Sequence, residues 1–488
     1  MSDAPPPLPP TFGVRPLPGT GLERGRLTGG VPHRRVDLAP AVVAVVEALL
    51  AGASIADTAA ATGRSSEHVG AVARRLVDIG AAGPRPPVAA CPGTPAVGEV
   101  AAVIPARDAE ATIEAALDGL AGVGEVVVVD DGSTDRTSSV ARAAGAQVIR
   151  TEVPAGPAAA RNAGIRACTA ELVVVLDSDA RPVPGWLDAL VPHLADPATG
   201  GVAPRVVAVD DGTALGRYEA AAGPLDLGDR AAAVRPDGAV TFVSTTALVL
   251  RRELWERLGG FDEALRFGED LDFAWRAAAV QPLVYEPAAT VHHPHRATLR
   301  AHVANRMGYG SASGPLSRRH PGHPRAAVAP PLLTAAAVAG VAGLPRVAGA
   351  LGAAAIGDTA RRLSGLGQAP DAVARETAAA TVRAGRGLAA AVSRPWLPLA
   401  LAVAAARPGA RPAVAAAVLA RLALGRERPP AGTSPVEWAA LRLLDDLASS
   451  AGVLRGCIEA CTVAPLMTRP PTGPARTTTV LGTELALP

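Results

Sequence analysis

The sequence predicts an α/β protein in which a largely parallel sheet lies between a small N-terminal domain and an Ala-rich α-helical C-terminal region. Apolar runs alternate with stretches of helical periodicity, which is the order of βαβ units with buried strands. The runs are Val100–Ile104, Val126–Val129, Ala146–Ile149 and Leu172–Leu176. Acidic residues follow several of these runs, at the sheet edge where a doubly wound fold binds its ligands.

The composition divides the 488 residues into six segments. We expect a proline-rich, disordered lead (1–22), a compact N-terminal domain (23–83), a Pro/Gly linker (84–98), the α/β domain (99–310), a helical region (321–470) and a tail (471–488). A linker with this much proline is expected to act as a semi-rigid spacer.

Charge and cysteine content limit the classes of function. The net charge of +2 gives no reason to expect nucleic acid as a partner. The N-terminus lacks the apolar core of a signal peptide, so we expect a cytoplasmic protein with free thiols. The four cysteines are Cys91, Cys168, Cys457 and Cys461. Cys457 and Cys461 have no second pair at zinc spacing, which favours a structural role.

The N-terminal domain has the pattern helix, turn, helix that is typical of winged-helix-like folds. Helices are expected over Pro40–Leu50 and Ile55–Thr62, and again after Ser66. A DNA-binding role is disfavoured because the last of these helices offers only Arg64, Arg74 and Arg75 as cations.

Residues 326–345 carry no charge and reach the length of a membrane span. They are mostly Ala and Gly, with prolines inside, and Ala contributes little to membrane insertion. Residues 395–406 and 412–420 are too short to span. We therefore expect packed or interfacial helices, with peripheral membrane contact as the alternative. Pro435 after Ser434 predicts the start of a further helix.

Two adjacent acids, Asp130 and Asp131, follow the second strand. Carboxylates in this position are suited to accept hydrogen bonds from a nucleoside, and Pro105, Arg107 and Asp108 end the first strand at the same edge. The alternative is that Asp131 only caps the helix opening at Thr134. A later cation, Arg161, stands in a small-residue helix where it is suited to meet phosphate or simply lie on the surface. We expect these residues to bind the nucleotide.

The strongest signal is Asp177-Ser178-Asp179, which follows the strand Leu172–Leu176. Two carboxylates one residue apart at the ligand edge fit Mg²⁺ or Mn²⁺, which prefer oxygen ligands. A single imidazole is able to complete such a shell, and His293 is our candidate. A lone D-x-D is otherwise most often a turn.

Glu269 and Asp270 stand at the predicted start of a helix. A carboxylate at a helix N-terminus is stabilised as the anion, which suits a general base. The alternative is N-terminal capping. We take Asp270 and Glu269 as the catalytic candidates.

The order of these motifs resembles glycosyltransferase family 2, whose members are inverting enzymes with the GT-A fold. The matching motifs are V-I-P-A-R-D (103–108), V-V-D-D-G-S-T-D (128–135), A-R-N-A-G (160–164), L-D-S-D (176–179), G-G-F-D-E (259–263) and G-E-D-L-D-F-A-W-R (268–276). The resemblance implies nucleotide binding by the early acids and metal and diphosphate binding by Asp177 and Asp179. It also implies that Asp270 is the base.

The layout of the whole chain resembles the glycosyltransferases of mycofactocin biosynthesis, including an L-L-D-D-L-A stretch (443–448). This resemblance implies UDP-glucose as donor and a peptide-derived redox cofactor precursor as acceptor, extended with β-linked glucose. The N-terminal domain also resembles the peptide-binding fold of enzymes that modify ribosomally made peptides.

Four other functions are compatible with parts of the sequence. A processive polysaccharide synthase is disfavoured because none of the three glutamines opens a Q-x-x-R-W motif. A nucleotidyltransferase leaves Glu269 and Asp270 without a role. A transferase for a cell-envelope polysaccharide or lipid stays open, as does a non-catalytic peptide-binding scaffold, although the intact acidic motifs argue against the latter.

Overall fold

The computed structural model describes residues 5–30, 34–87, 95–296, 298–365, 370–424, 429–430 and 432–470. It divides into two compact units. The first contains the N-terminal and α/β domains and ends at residue 294. The second, called here the helical unit, comprises residues 210–222 and 295–472. The predicted α/β domain, 99–310, therefore ends earlier than expected, because residues 295–310 pack with the helical unit. The tail and Cys91 lie outside the described residues.

The N-terminal domain is a three-helix core with two small sheets. Its strands are β1 (Gly13–Pro16), β2 (Gly21–Glu23), β3 (Arg26–Gly29), β4 (Arg34–Asp37) and β5 (Ala82–Arg85). Its helices are α1 (Pro40–Leu50), α2 (Ile55–Thr62) and α3 (Ser66–Asp78), as predicted. Strands β2, β3 and β4 form a three-stranded sheet, called here the wing, and β1 pairs with β5.

The prediction of a disordered lead is wrong for residues 5–22. Leu8, Phe12 and Val14 are almost fully buried in the core of the N-terminal domain, and the pairing of β1 with β5 requires this segment. The many prolines of this segment predict disorder. The burial of its three widely spaced apolar residues depends on contacts with distant helices, which local pattern does not indicate.

The N-terminal domain packs directly against the α/β domain. Arg74 on α3 donates to Asp196 Oδ1 (2.5 Å), with both side chains buried. Arg235 donates to Asp78 Oδ1 (2.8 Å). The backbone at Gly83 approaches so closely that a Cβ there would lie 2.4 Å from the carbonyl oxygen of Ala231. The expectation of a domain held away by a spacer is therefore wrong.

A mixed nine-stranded sheet, counted over the described residues, forms the α/β domain. Its strands are β6 (Val100–Ala106), β7 (Glu125–Asp130), β8 (Gln147–Arg150), β9 (Leu172–Leu176), β10 (Arg181–Pro182), β11 (Gly201–Ala208), β12 (Ala232–Ala233), β13 (Ala247–Arg251) and β14 (Leu283–His293). The order is β10-β14-β11-β13-β9-β6-β7-β8, with β12 on β14. The four predicted strands are confirmed as the parallel half. The sheet as a whole is mixed, because β13 lies antiparallel to β9 and to β11.

Helices cover both faces of this sheet. They are α4 (Ile113–Asp118), α5 (Thr137–Ala143), α6 (Pro157–Ala167), α7 (Trp186–Leu190), α9 (Arg252–Leu258) and α10 (Glu269–Val280), while α8 (Ala214–Ala222) belongs to the helical unit. Successive strand residues point to opposite faces. Val103 belongs to the hydrophobic core that includes residues of α6, α9 and α10, and Ile104 to the core that includes residues of α4, α5 and α7. Burial on both faces explains why the strands are apolar throughout.

The helical unit continues with α11 (Leu299–Ser311), α12 (Ser313–Arg319), β15 (Ala327–Val328), α13 (Pro331–Val341), α14 (Pro345–Ser364), α15 (Pro370–Ser393), α16 (Leu397–Ala406), α17 (Arg411–Leu424), α18 (Pro435–Glu459) and β16 (Thr468–Arg469). Helix α18 begins at Pro435 as predicted, although Ser434 makes no side-chain cap.

A buried ion network gives the L-L-D-D-L-A stretch a structural role. Asp445 accepts hydrogen bonds from Arg306 and Arg394, and Arg394 also donates to Asp446 (2.5 Å). Burial would raise the pKa of Asp445, but the neighbouring guanidinium groups lower it. Removing one partner of such a buried ion pair would leave the other charge buried and unpaired, which strongly destabilises a protein.

No single helix within the described ranges is long and apolar enough to cross a membrane, although α15 and α16 meet the criteria of length and composition together, with a bend of 76° between them. The three described cysteines are free, with Cys168 and Cys457 buried and Cys461 exposed.

Candidate active site

Three side chains predicted as metal ligands come together at the edge of the sheet. One ligand atom from each of Asp177, Asp179 and His293 lies within 4.8 Å of the others, and His293 Nε2 is 3.3 Å from Asp179 Oδ1. The two acids follow the fully buried strand β9. The antiparallel pairing of Arg181 with His292 brings the last residue of β14 beside them.

Arg161 joins this cluster to the start of α10. The Nη2 atom of Arg161 donates to Asp177 Oδ1 and its Nη1 atom donates to Glu269 Oε1, both at 2.8 Å. Burial alone would lower the pKa of Arg161, but the two carboxylates raise it. The sequence predicted a phosphate contact or a surface cation for Arg161, and the structure gives it two carboxylates in a buried position instead.

Asp270 has the properties expected of a base. It is the second residue of α10 and is partly buried. Burial first, and then the negative charge of Glu269, raise the pKa of Asp270 to about 7, while the Leu271 N–H and Arg161 act in the opposite direction. A carboxyl that titrates near neutral pH is suited to take a proton and to release it again.

Asn162, which sequence reasoning passed over, holds the loop before α10. Its Nδ2 atom donates to Phe261 O and Glu263 Oε1, while its Oδ1 atom accepts from the Trp255 indole and the Phe261 N–H. Gly260 is required there, since its φ is +83° and a Cβ would lie 2.8 Å from Asn162 Oδ1. The available signal for Asn162 was its position next to Arg161. Arg161 orders the acidic cluster, and Asn162 orders the loop before α10.

The early acids separate into structural and accessible groups. Asp130 is fully buried and accepts hydrogen bonds from the Ser133 N–H, the Ser138 hydroxyl and Arg150. Burial would raise the pKa of Asp130, but these donors lower it. The expectation that Asp130 contacts a nucleoside is therefore wrong, because its charge is already satisfied inside the protein.

Asp131 accepts hydrogen bonds from the N–H groups of Ala155 and Gly156, both at 2.8 Å, so it orders the loop before α6 rather than capping a helix at Thr134. Asp108 keeps a side chain that is 46% exposed. It also has a φ of +49°, a strained conformation for a non-glycine residue that is typical of functional sites.

The remaining nucleotide candidates lie at the same edge. Pro105 is in β6, Arg107 is exposed beside Asp108, and Ser178 is partly buried between the two metal candidates. A cavity of about 310 Å³ lies elsewhere, lined by residues 169–171 and 251–253 together with Glu256. It is at the opposite ends of the strands, and its lining includes none of the predicted site residues.

Comparisons with known proteins agree with this geometry. The model of the family described as Glycosyl transferase family 2 matches residues 101–259. The chain is 34% identical over 456 residues to the pre-mycofactocin glycosyltransferase of Mycobacterium tuberculosis (strain H37Rv), covering 89% of this chain and 92% of that protein. It is 34% identical over 201 residues to the succinoglycan biosynthesis protein ExoU of Rhizobium meliloti, covering 37% of this chain and 57% of that protein.

Among solved structures, the mannosyltransferase PcManGT from Pyrobaculum calidifontis in complex with GDP-Man and Mn²⁺ is 21% identical, with a TM-score of 0.41, over 73% of this chain and 87% of that chain. The mixed sheet with its acidic edge is the GT-A fold. The family model covers the sheet from β6 to β13, and the Mycobacterium tuberculosis relative is similar along nearly the whole chain. This protein therefore belongs to glycosyl transferase family 2.

Proposed function

We propose that this enzyme transfers glucose from UDP-glucose, with inversion, to a peptide-derived redox cofactor precursor of the mycofactocin type, and extends the product with further glucose. The observation that carries the proposal is the extent of the match to the pre-mycofactocin glycosyltransferase, 89% of this chain. That match extends well beyond residues 101–259, the part of the chain that the general family model covers.

The cluster of Asp177, Asp179 and His293 fits a divalent cation. Two carboxylates and one imidazole, with ligand atoms within 4.8 Å of one another, are donors that Mn²⁺ accepts and that leave positions for diphosphate oxygens. We propose Mn²⁺ or Mg²⁺ as cofactor. When bound, the cation supplies positive charge that offsets the charge of the departing diphosphate.

We assign the general base to Asp270. Its carboxylate would take the proton from the attacking hydroxyl of the acceptor, and a pKa of about 7 leaves a large fraction ionised at neutral pH. A single displacement at the anomeric carbon requires one base, and no second carboxylate nucleophile is needed. Inversion follows from this assignment.

Glu269 and Arg161 are positioning residues in this scheme. Glu269 is buried and its Oε1 atom accepts from Arg161, so it holds α10 against the acidic cluster rather than exchanging protons with substrate. Its negative charge also keeps the pKa of Asp270 high. Nucleoside recognition would fall to the accessible residues Asp108 and Arg107, with Asp131 ordering the adjacent loop.

The test is a donor panel. Purified protein with Mn²⁺ is incubated with UDP-glucose, UDP-galactose, GDP-mannose and UDP-N-acetylglucosamine, and the released nucleotide is measured without acceptor and with a mycofactocin-type precursor. We expect slow hydrolysis of UDP-glucose that the precursor accelerates, with glucose added to the precursor by mass spectrometry. Acceleration only by a lipid or polysaccharide acceptor would favour the cell-envelope alternative, and no release from any donor would favour a non-catalytic scaffold.

We further propose that the N-terminal domain presents the peptide-derived acceptor. The loose resemblance to peptide-binding domains supports this role. The contacts of Arg74 with Asp196 and of Arg235 with Asp78 imply that deletion of residues 1–87 also exposes packed surface, so deletion alone does not separate binding from stability. Substitutions of exposed residues on the wing that raise the KM for the precursor, with unchanged hydrolysis and melting temperature, would support the role.

A further inference from the structure

The helical unit has an arginine-rich surface at one end, formed by segments of the sequence that contain no Asp or Glu. Two helix–helix turns lie side by side there: residues 342–347, between α13 and α14, and residues 406–412, between α16 and α17. We call these two segments the arginine tip. Arg407 Nη1 donates to Ala342 O (3.3 Å), and a Cβ on Gly343 would lie 3.2 Å from Ala410 N. The two turns are therefore in direct contact.

The charge of the arginine tip has one sign. Arg346, Arg407 and Arg411 are exposed, and the hydrogen bonds of Arg407 and Arg411 go to backbone carbonyl oxygens. The sequence has no Asp or Glu over residues 326–357 or 395–424. Among the described residues, none of these three guanidinium groups is paired with a carboxylate. Three cations without acidic neighbours form a surface suited to phosphate groups.

Exposed apolar side chains lie in the arginine tip and on the adjoining helix α16. Leu344 and Val347 are 49% and 48% exposed within the arginine tip, and Leu401 on α16 is 46% exposed. Leu397 and Ala400 on α16 are buried, so that helix packs on one face and offers an apolar face to solvent on the other. Exposed Leu and Val side chains near Arg are typical of a protein surface that lies in a lipid headgroup layer.

We propose that the arginine tip docks on the surface of a bilayer that contains anionic lipid. Leu344 and Val347 enter the interface between headgroups and acyl chains, while the three arginines bind lipid phosphates. The tip lies on the membrane and does not cross it. Neither the apolar residues nor the arginines are sufficient alone, because stable attachment needs an apolar and an electrostatic contribution together.

The experiment is co-sedimentation of the full chain with large unilamellar vesicles. We expect binding to phosphatidylcholine vesicles that contain phosphatidylglycerol, weak binding to phosphatidylcholine alone, and release as the salt concentration rises. The double variant Arg407→Gln/Arg411→Gln is expected to bind about thirtyfold more weakly, from about 1 kcal/mol per arginine near an anionic surface. Leu344→Ser/Val347→Ser should weaken binding to the same vesicles while keeping the salt dependence.

The matched control is Arg361→Gln/Arg362→Gln. These arginines are about 80% exposed at the other end of α14 and pair with Asp358, so the change in net charge is the same as in the double variant of the tip. Unchanged binding of this control supports the tip as the contact. Equal loss in both double variants, equal binding to both vesicle types, or a dimer in solution that Leu344→Ser/Val347→Ser dissociates would overturn the proposal.

Discussion

The assignment of Asp270 as the base makes a quantitative prediction about pH. With a pKa of about 7, roughly a tenth of the molecules carry the ionised base at pH 6 and roughly nine-tenths at pH 8, so kcat/KM should rise about tenfold between these values. An aspartate with its ordinary pKa of 3.8 is ionised throughout this range and gives a flat profile. The pH dependence of kcat/KM reports groups of the free enzyme, which is the state described here.

The substitution Asp270→Asn keeps a similar shape and removes the proton acceptor. We expect turnover to fall by ~10²–10⁴-fold with donor affinity unchanged, and the residual rate to lose its dependence on pH. The control is Asp188→Asn, since Asp188 is exposed on α7, which packs on the opposite face of the sheet. The assay is release of nucleotide from UDP-glucose, with donor affinity measured separately by calorimetry.

The profile is recorded at saturating Mn²⁺ and again in His293→Asn, so that the predicted metal cluster and Asp270 are tested separately. A midpoint that persists in His293→Asn and disappears in Asp270→Asn assigns the titration to Asp270. A flat wild-type profile between pH 6 and pH 8, or a profile that survives in Asp270→Asn, would refute the assignment.

The raised pKa of Asp270 also makes the stability of the fold depend on pH. Asp270 has a raised pKa in the folded state, so folding favours its protonated form and stability is lost as the pH rises from its unfolded pKa towards 7. Asp270→Asn should therefore melt higher than the wild type at pH 7–8, by an amount that shrinks towards pH 5. The change over this interval is at most about 3 kcal/mol. A difference in melting temperature that does not vary with pH would contradict the burial of this carboxyl.

Three further predictions follow from the site and the domain contact. Asp179→Asn should weaken Mn²⁺ affinity at least tenfold in calorimetric titration and should lower turnover. Saturating Mn²⁺ should not restore the activity of Asp177→Asn/Asp179→Asn. Full activity of the wild type in EDTA would contradict metal dependence. Arg161→Gln should move the pH midpoint of kcat/KM above that of the wild type, because Arg161 lowers the pKa of Asp270, whereas Arg166→Gln, a 61% exposed position on the same helix, should leave it in place. Asp196→Asn removes the negative charge that offsets the buried Arg74 and should lower the free energy of unfolding by about 3–5 kcal/mol, measured by denaturant titration against Asp188→Asn. An unchanged midpoint would show that the two domains are not coupled through this ion pair.

The features that could be predicted are those that depend on the local pattern of residues. Four buried strands, the helices between them and the three helices of the N-terminal domain follow from hydrophobic periodicity, which is a property of neighbouring residues. The positions of Asp177 and Asp179 after β9, and of Asp270 in the first turn of α10, follow from where those elements end and begin. The metal candidates were predictable for the same reason, since parallel strands end at one edge of a sheet.

Tertiary structure alone decided what each charged side chain meets. Asp130 and Asp108 both end predicted strands, yet one is enclosed by Ser133, Ser138 and Arg150 and the other remains 46% exposed. Arg161 reaches Glu269 across 108 positions in the sequence. Likewise, β13 pairs antiparallel with β9 although it follows β9 by more than seventy positions in the sequence. Such pairings are set by the free energy of the whole packed chain, because burying a charge is tolerable only where a distant partner offsets its desolvation.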